Sequence, residues 1–284
     1  MDCNVPKNLQ SPISNLQSPS HKSAFTLVEL SIVLVIIGLI VGGVLTGRDL
    51  IRAAELRSTT AQLQQIITGV MTFKLKYNAL PGDMPDATQI WGSEAVCPYT
   101  PANTVPHTVT CNGNGDGVIG GYGTASNPEE MRFWQHLANA DLISGKYTGI
   151  FSEGNSSGAW HNEFDVNIPR AAISGSGFSR EKSDVAVILG IGYWQAPYKY
   201  GSSMIFFGTQ TCQAFNNCPA LTPKEQFLLD SKIDDGLPAS GKIVSIRGNW
   251  GFEPNCATSI DPTIAVYKTS LDSIECSFIY SADF

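Results

Sequence analysis

The chain has 284 residues, 43% of them hydrophobic and 15% charged, with a formal net charge of -7. That length and apolar content suffice for one sizeable globular core and argue against a disordered chain. No run of Lys and Arg follows Arg57, so no nucleic-acid partner is expected, because phosphate backbones are held by clustered cations.

Residues 1–24, MDCNVPKNLQSPISNLQSPSHKSA, are polar and rich in Ser, Pro, Asn and Gln, which predicts a disordered cytoplasmic segment. NLQSP occurs at Asn8–Pro12 and again at Asn15–Pro19, a repeat too short to fold. From Phe25 to Gly47 the character inverts, with 23 residues carrying one ionisable side chain, Glu29. As a helix rising about 1.5 Å per residue, this stretch crosses a bilayer core of roughly 30 Å. A carboxylate in a span costs roughly 2.5–3.5 kcal/mol at the centre and less toward an interface. Glu29 therefore either has a function or, about 6 Å along the axis from Phe25, snorkels into the headgroups. A secretory signal with Lys22 as basic flank is the competing reading, but the run is long for an h-region and no Ala-x-Ala site follows it. Arg48, Arg52 and Arg57 lie beyond the span, so the positive-inside count leaves orientation undecided.

Ser23-Ala24-Phe25-Thr26-Leu27-Val28-Glu29-Leu30, ahead of the apolar run, resembles the processing site of type IV prepilins and type II secretion pseudopilins. The resemblance implies that prepilin peptidase cuts between Ala24 and Phe25 and methylates the new amine of Phe25. It also implies that Glu29, fifth in the mature chain, serves in assembly. Ala24 stands where the family usually has Gly, and the 24-residue leader is longer than most. Physically, the freed amine of one subunit can neutralise Glu29 of a neighbour. A lone buried charge is costly whereas a pair is much less so, so the carboxylate sets the register in which subunits stack.

Beyond the span the pattern turns amphipathic, with Leu63, Ile66, Ile67, Val70, Phe73 and Tyr77 at helical spacing and no Pro before Pro81. One helix from about Phe25 to Asn78 is predicted, roughly 80 Å long. Gly38, Gly42, Gly43 and Gly47 are weak points in it, serving close packing or local melting, or simply tolerated in a membrane helix. Pro81-Gly82-Asp83 ends the helix. KYNALPGDMPDAT and DSKIDDGLPASGKIVS also resemble segments of pilin-like heads.

Of seven cysteines, Cys3 would leave with the leader, and the six that remain suit an oxidising compartment. Pairing of sequence neighbours is expected, Cys97 with Cys111, Cys212 with Cys218 and Cys256 with Cys276; scattered buried thiols are the alternative. Asn112-Gly113-Asn114-Gly115-Asp116-Gly117-Val118 matches the first part of an EF-hand-like calcium loop, with Asn112, Asn114 and Asp116 offering side-chain oxygens and Val118 a carbonyl. The acid expected at the twelfth position is missing, since that residue is Gly123, and Glu129 or Glu130 substitutes only if the chain folds back. A Gly-Asn turn without metal is the alternative, and no cofactor is required.

Asn127-Pro128-Glu129-Glu130 opens one short helix and Thr222-Pro223-Lys224-Glu225 a second, the latter with a capping box. Strands are predicted at Tyr147–Phe151, Asp184–Ile191, Ser203–Phe207, Ile243–Ile246, Thr263–Tyr267 and Cys276–Tyr280. Gly154-Asn155-Ser156-Ser157-Gly158 matches a nucleophile elbow, but its next His is His161, five residues on, where that fold needs an acid and then a distant base. A membrane-anchored hydrolase is thus a remote alternative, and the chain is expected not to be an enzyme.

The expected fold is α+β, the pilin-like lollipop: a long N-terminal helix packed on an antiparallel sheet in a disulfide-bonded head. The expected divisions are a leader at 1–24, a membrane half-helix at 25–47, an amphipathic half-helix at 48–80 and a head at 81–284. The resemblance implies a filament subunit of a type IV pilus or type II secretion system, with a minor tip subunit in adhesion or substrate contact as alternative. Implied partners are prepilin peptidase, other pilin or pseudopilin subunits, an inner-membrane assembly platform and the lipid bilayer. The implied location is the bacterial inner membrane, single-pass, with a periplasmic head drawn out into a filament.

Overall fold

The computed structural model describes residues 26–94, 97, 108–120, 129–151, 162–182, 203–209, 218–247, 255–259 and 261–282. The architecture is α+β. The first element, α1, is one continuous helix over Leu27–Tyr77, 51 residues long. It stops where Asn78 adopts a left-handed φ of 52° and donates its N–H to the Lys74 carbonyl, the usual device for closing a helix before a proline. Within the apolar stretch Ser31 and Thr46 donate their hydroxyls to the Val28 and Gly42 carbonyls, which leaves no hydroxyl seeking water. The chain divides into two compact units between Asp49 and Leu50.

In the second unit α1 buries Leu63, Ile66, Val70 and Phe73, a single stripe at helical spacing. Three short helices join it: α2 (Ala87–Trp91), α3 (Glu129–Asn139) and α4 (Pro223–Ile233). Phe133, Trp134 and Leu137 of α3 are fully buried in the same core. The sheet is antiparallel throughout, in the order β1-β2-β4-β3, from Ser176–Lys182, Ser203–Thr209, Cys276–Ala282 and Ile243–Arg247 respectively. Phe178, Phe207 and Phe278 stand side by side across three strands and join the core with α1 and α3. Their centroids lie 5.4 and 4.8 Å apart, within the range of favourable ring contacts. Ser179, Phe206, Ile279 and Val244 form the next row and are equally buried on the opposite face.

Arg52 fastens α1 to α4. Its Nε donates to Glu225 Oε1 at 2.6 Å, and its Nη2 to Glu225 Oε2 and to the Ala220 carbonyl, both at 2.9 Å. Glu225 is also the third residue of α4 and completes the capping box with Thr222. Its carboxyl is held below the usual range despite burial, because Arg52 and Thr222 both bond it.

Two strand expectations differ from the structure, and one strand is additional. Tyr147–Phe151 is not a strand: Gly149 sits at φ 73°, and Thr148 gives its N–H to Val166 instead of a ladder. Thr263–Tyr267 is a turn closed on Asp261, whose side chain and carbonyl capture the N–H groups a strand would use, leaving one bridge from Tyr267 to Ala257. Strand β1, SGFSREK, was not expected at all. Asp184–Ile191 lies outside the described residues.

Candidate functional site

At its start α1 forms a capping box of Thr26 with Glu29. The N–H and the hydroxyl of Thr26 both donate to Glu29 Oε2 at 2.8 Å, and the Glu29 N–H donates to Thr26 Oγ1 at 3.2 Å. These bonds satisfy amides that a helix start leaves open and place a negative charge at the positive end of the helix dipole. Among the described residues Oε1 accepts no bond. Ala24 and Phe25, the expected cleavage residues, lie outside the described residues. From Leu27 to Leu45 every large apolar side chain is exposed, by 49% at Ile36 up to 85% at Leu27. Among the described residues, α1 is the one helix long and apolar enough to cross a membrane.

A second constellation lies in the head. Asp83 is buried, and its Oδ1 accepts the N–H of Gly115 (2.7 Å) and Asp116 (3.2 Å), its Oδ2 that of Gly117 (2.9 Å). Glu129, in the first turn of α3, accepts the N–H of Asn114 at 3.0 Å and of Gly120 at 2.8 Å. The loop is therefore a concave nest of amides closed around two internal carboxylates. Asn112, Asn114 and Asp116 add further bonds, accepting the N–H of Thr88, Asp116 and Val118 respectively. Gly113 has to be glycine, since a Cβ there would strike the Asp83 backbone. Burial pushes the Asp83 carboxyl up against the pull of the Gly117 and Gly115 amides, and the nearby Asp116 charge adds to the rise. Glu129 is raised in the same way, by burial first and by Asp83 and Asp116 in addition. The expected calcium ligands Asn112, Asn114, Asp116 and Val118 thus share one short loop, and Glu129 does return onto it.

His136 supports the same turn. Its Nδ1 accepts the Gly82 N–H at 2.9 Å, and its Nε2 lies 3.0 Å from Thr110 Oγ1. Burial and the Arg132 charge push the imidazole down to about 3, so it stays neutral with its proton on Nε2.

Residues 19–45 match the family model described as the prokaryotic N-terminal methylation motif. The chain carries that motif. It is characteristic of type IV pilins and pseudopilins. No curated protein and no solved structure matches the chain.

The methylation motif contains Ala24, Phe25, Thr26 and Glu29, so the capping box lies inside the matched stretch. Thr26 escaped the sequence reading although Thr-x-x-Glu before an apolar run is a helix-start signal. Cys97 is bonded to Cys111 and Cys256 to Cys276. Cys218 is disulfide-bonded as well, while Cys212 lies outside the described residues, as do Ser156 and His161. Sequence reasoning also missed Asp230, at the end of α4. It is fully buried, accepting the Tyr267 hydroxyl at 2.6 Å and the Gly236 N–H at 3.3 Å. With Asp234 and Asp235 it forms the one close group of three acids among the described residues. Those two carboxylates close the following turn, Asp234 on the N–H groups of Lys242 and Ile243, Asp235 on the Leu237 N–H and the Ser240 hydroxyl.

Proposed function

We propose that the chain is the precursor of a structural filament subunit of the type IV pilus or type II secretion kind, with no catalytic activity of its own. The observation that carries the reading is the methylation motif over residues 19–45, running straight into an exposed apolar helix. Prepilin peptidase removes residues 1–24 and methylates Phe25, leaving a positive amine beside Glu29. The apolar part of α1 holds the subunit in the bacterial inner membrane with its head in the periplasm, until the assembly platform moves it into a filament. There Glu29 of one copy meets the Phe25 amine of another. N-terminal sequencing and intact-mass measurement on protein from the cell envelope test the reading. The expected product begins methyl-Phe25, Thr26, Leu27. Recovery of only the full-length chain with Met1, in cells with active peptidase, overturns it.

A second proposal concerns the head alone: the Asn112–Val118 loop takes a calcium ion through the Asn112, Asn114 and Asp116 side chains and the Val118 carbonyl. What favours it is the return of Glu129 onto the loop, supplying the acid that position 123 lacks. A divalent cation also relieves the mutual repulsion of Asp83, Asp116 and Glu129. Titration of the full-length protein with calcium chloride is expected to release or absorb heat and to raise Tm, and Glu129→Gln is expected to weaken both responses. No heat and no thermal shift in the parent protein removes calcium from the account.

A further inference from the structure

Two exposed surfaces of the second unit have opposite charge and similar apolar character. The first is the outer face of α1 near its end. Between Ser58 and Tyr77 this helix has no acidic residue. Gln64, Thr68, Met71, Thr72 and Leu75 follow one another along its outer side at helical spacing, and Lys74 and Lys76 flank Leu75. Leu75 is 87% exposed, the largest value for a large apolar side chain among the described residues, and Met71 is 51% exposed. The hydroxyls of Thr68 and Thr72 donate back to the Gln64 and Thr68 carbonyls, so this face asks for little water.

The second surface is the turn at Asp261–Val266. It is pinned by the N–H and hydroxyl of Thr263 on Asp261 Oδ1, and by the N–H groups of Ile264 and Ala265 on the Asp261 carbonyl. Ala265 and Tyr267 point inward, while Ile264 is 67% and Val266 53% exposed. Ile264 has the largest exposure of any large apolar residue beyond α1 among the described residues. Asp261 is exposed next to them.

We infer that the Met71–Leu75 strip of one copy docks on the Asp261–Val266 turn of the next copy. Charge selects this pairing over self-pairing: turn on turn brings Asp261 against Asp261, and strip on strip brings four lysines together. Strip on turn sets Lys74 and Lys76 beside Asp261 and covers Leu75 with Ile264 and Val266. Surface ion pairs of this kind add little affinity but fix partner and register. Because the two patches differ, the contact is head-to-tail, and it builds an open filament, with a free strip at one end and a free turn at the other, when the rotation between copies does not close into a ring. The inference rests on the filament reading above and names the surface through which neighbouring heads meet.

The test uses the full-length chain in cells that assemble it, with Leu75→Cys and Ile264→Cys on one polypeptide, oxidised by copper phenanthroline and run on a non-reducing gel. A ladder of dimers, trimers and longer species is expected from the double variant, and monomers from each single one. Filaments without a ladder, or a dimer from either single variant, overturn the inference and leave the filament reading standing. Absence of filaments from the parent chain overturns both. If the double variant does not assemble, charge exchange decides: Asp261→Lys is expected to block assembly, and Lys74→Glu with Lys76→Glu to restore it. Failure to restore overturns the inference.

Discussion

Changing Glu29 to Gln is expected to stop filament assembly while leaving the protein inserted in the membrane and its head folded. The choice of Gln separates the cap that the structure shows from the assembly role proposed above. Glu29 closes the capping box with Thr26 through Oε2, and Gln preserves that function because its amide oxygen accepts the same bonds. What Gln lacks is the charge proposed to pair with the Phe25 amine of a neighbour, and an unmatched charge in lipid costs roughly 2.5–3.5 kcal/mol at the centre of a span and less toward its edge. Summed along a filament, that penalty removes assembly altogether. Glu29→Ala, which loses cap and charge, is expected to show the same defect plus fraying at the helix start. Membrane fractionation, electron microscopy of sheared filaments and circular dichroism check the three statements. Filaments from Glu29→Gln in normal number would show that the cap, and not the charge, is what the carboxylate is for.

The second large effect is a pH dependence centred on Asp230. Burial pushes its carboxyl up to about 7, against the pull of the Tyr267 hydroxyl and the Gly236 N–H, and Asp235 and Asp234 push in the same direction. An unfolded Asp titrates at about 3.9. Between about pH 4 and 7 the native protein therefore holds a proton that the unfolded chain has released, and stability falls as pH rises through that interval and levels off above it. At about 1.4 kcal/mol per unit, the loss is on the order of 2–3 kcal/mol once relaxation around the site is allowed for. Asp230→Asn keeps the shape and an acceptor oxygen but carries no charge. It is expected to be more stable than the parent above pH 7 by that amount and to match it near pH 4. The buried Ser245 and Tyr267 hydroxyls, 3.1 Å apart, extend the network from α4 to β3, so the whole corner is expected to tighten. Urea unfolding of both full-length proteins at pH 4.5, 6 and 8 measures this. The difference between them isolates Asp230 from Asp83 and Glu129, which shift in the same direction. Equal slopes in parent and variant refute the assignment.

What could be read from the sequence was local and periodic. Leu63, Ile66, Val70 and Phe73 declare a helix stripe, and Thr222-Pro223-Lys224-Glu225 declares a helix start; both occur as read. β2, β3 and β4 are apolar enough to show themselves. β1 is not: SGFSREK has one large apolar residue, and its pairing with β2 and the placement of Arg180, whose Nη1 donates to the Ile119 carbonyl at 2.6 Å, come from the rest of the fold. The Asp83 nest was hidden for a similar reason. Pro81-Gly82-Asp83 reads as a helix stop, and nothing within it reveals that amides some thirty residues later will close on its carboxylate. Thr26 and Glu29 were legible as a helix-start signal, since Thr-x-x-Glu stands ahead of an apolar run.

The fork between Arg52 and Glu225 bears on how the second unit would withstand a pull on α1. Arg52 is the third residue of the second unit, so tension carried along the α1 backbone from the apolar stretch arrives there before it reaches Leu63 or Phe73. Two parallel bonds tie it to one carboxylate and a third ties it to the Ala220 carbonyl. A strap of that kind anchors α1 to α4 ahead of the core stripe, so a pull on the helix meets it first.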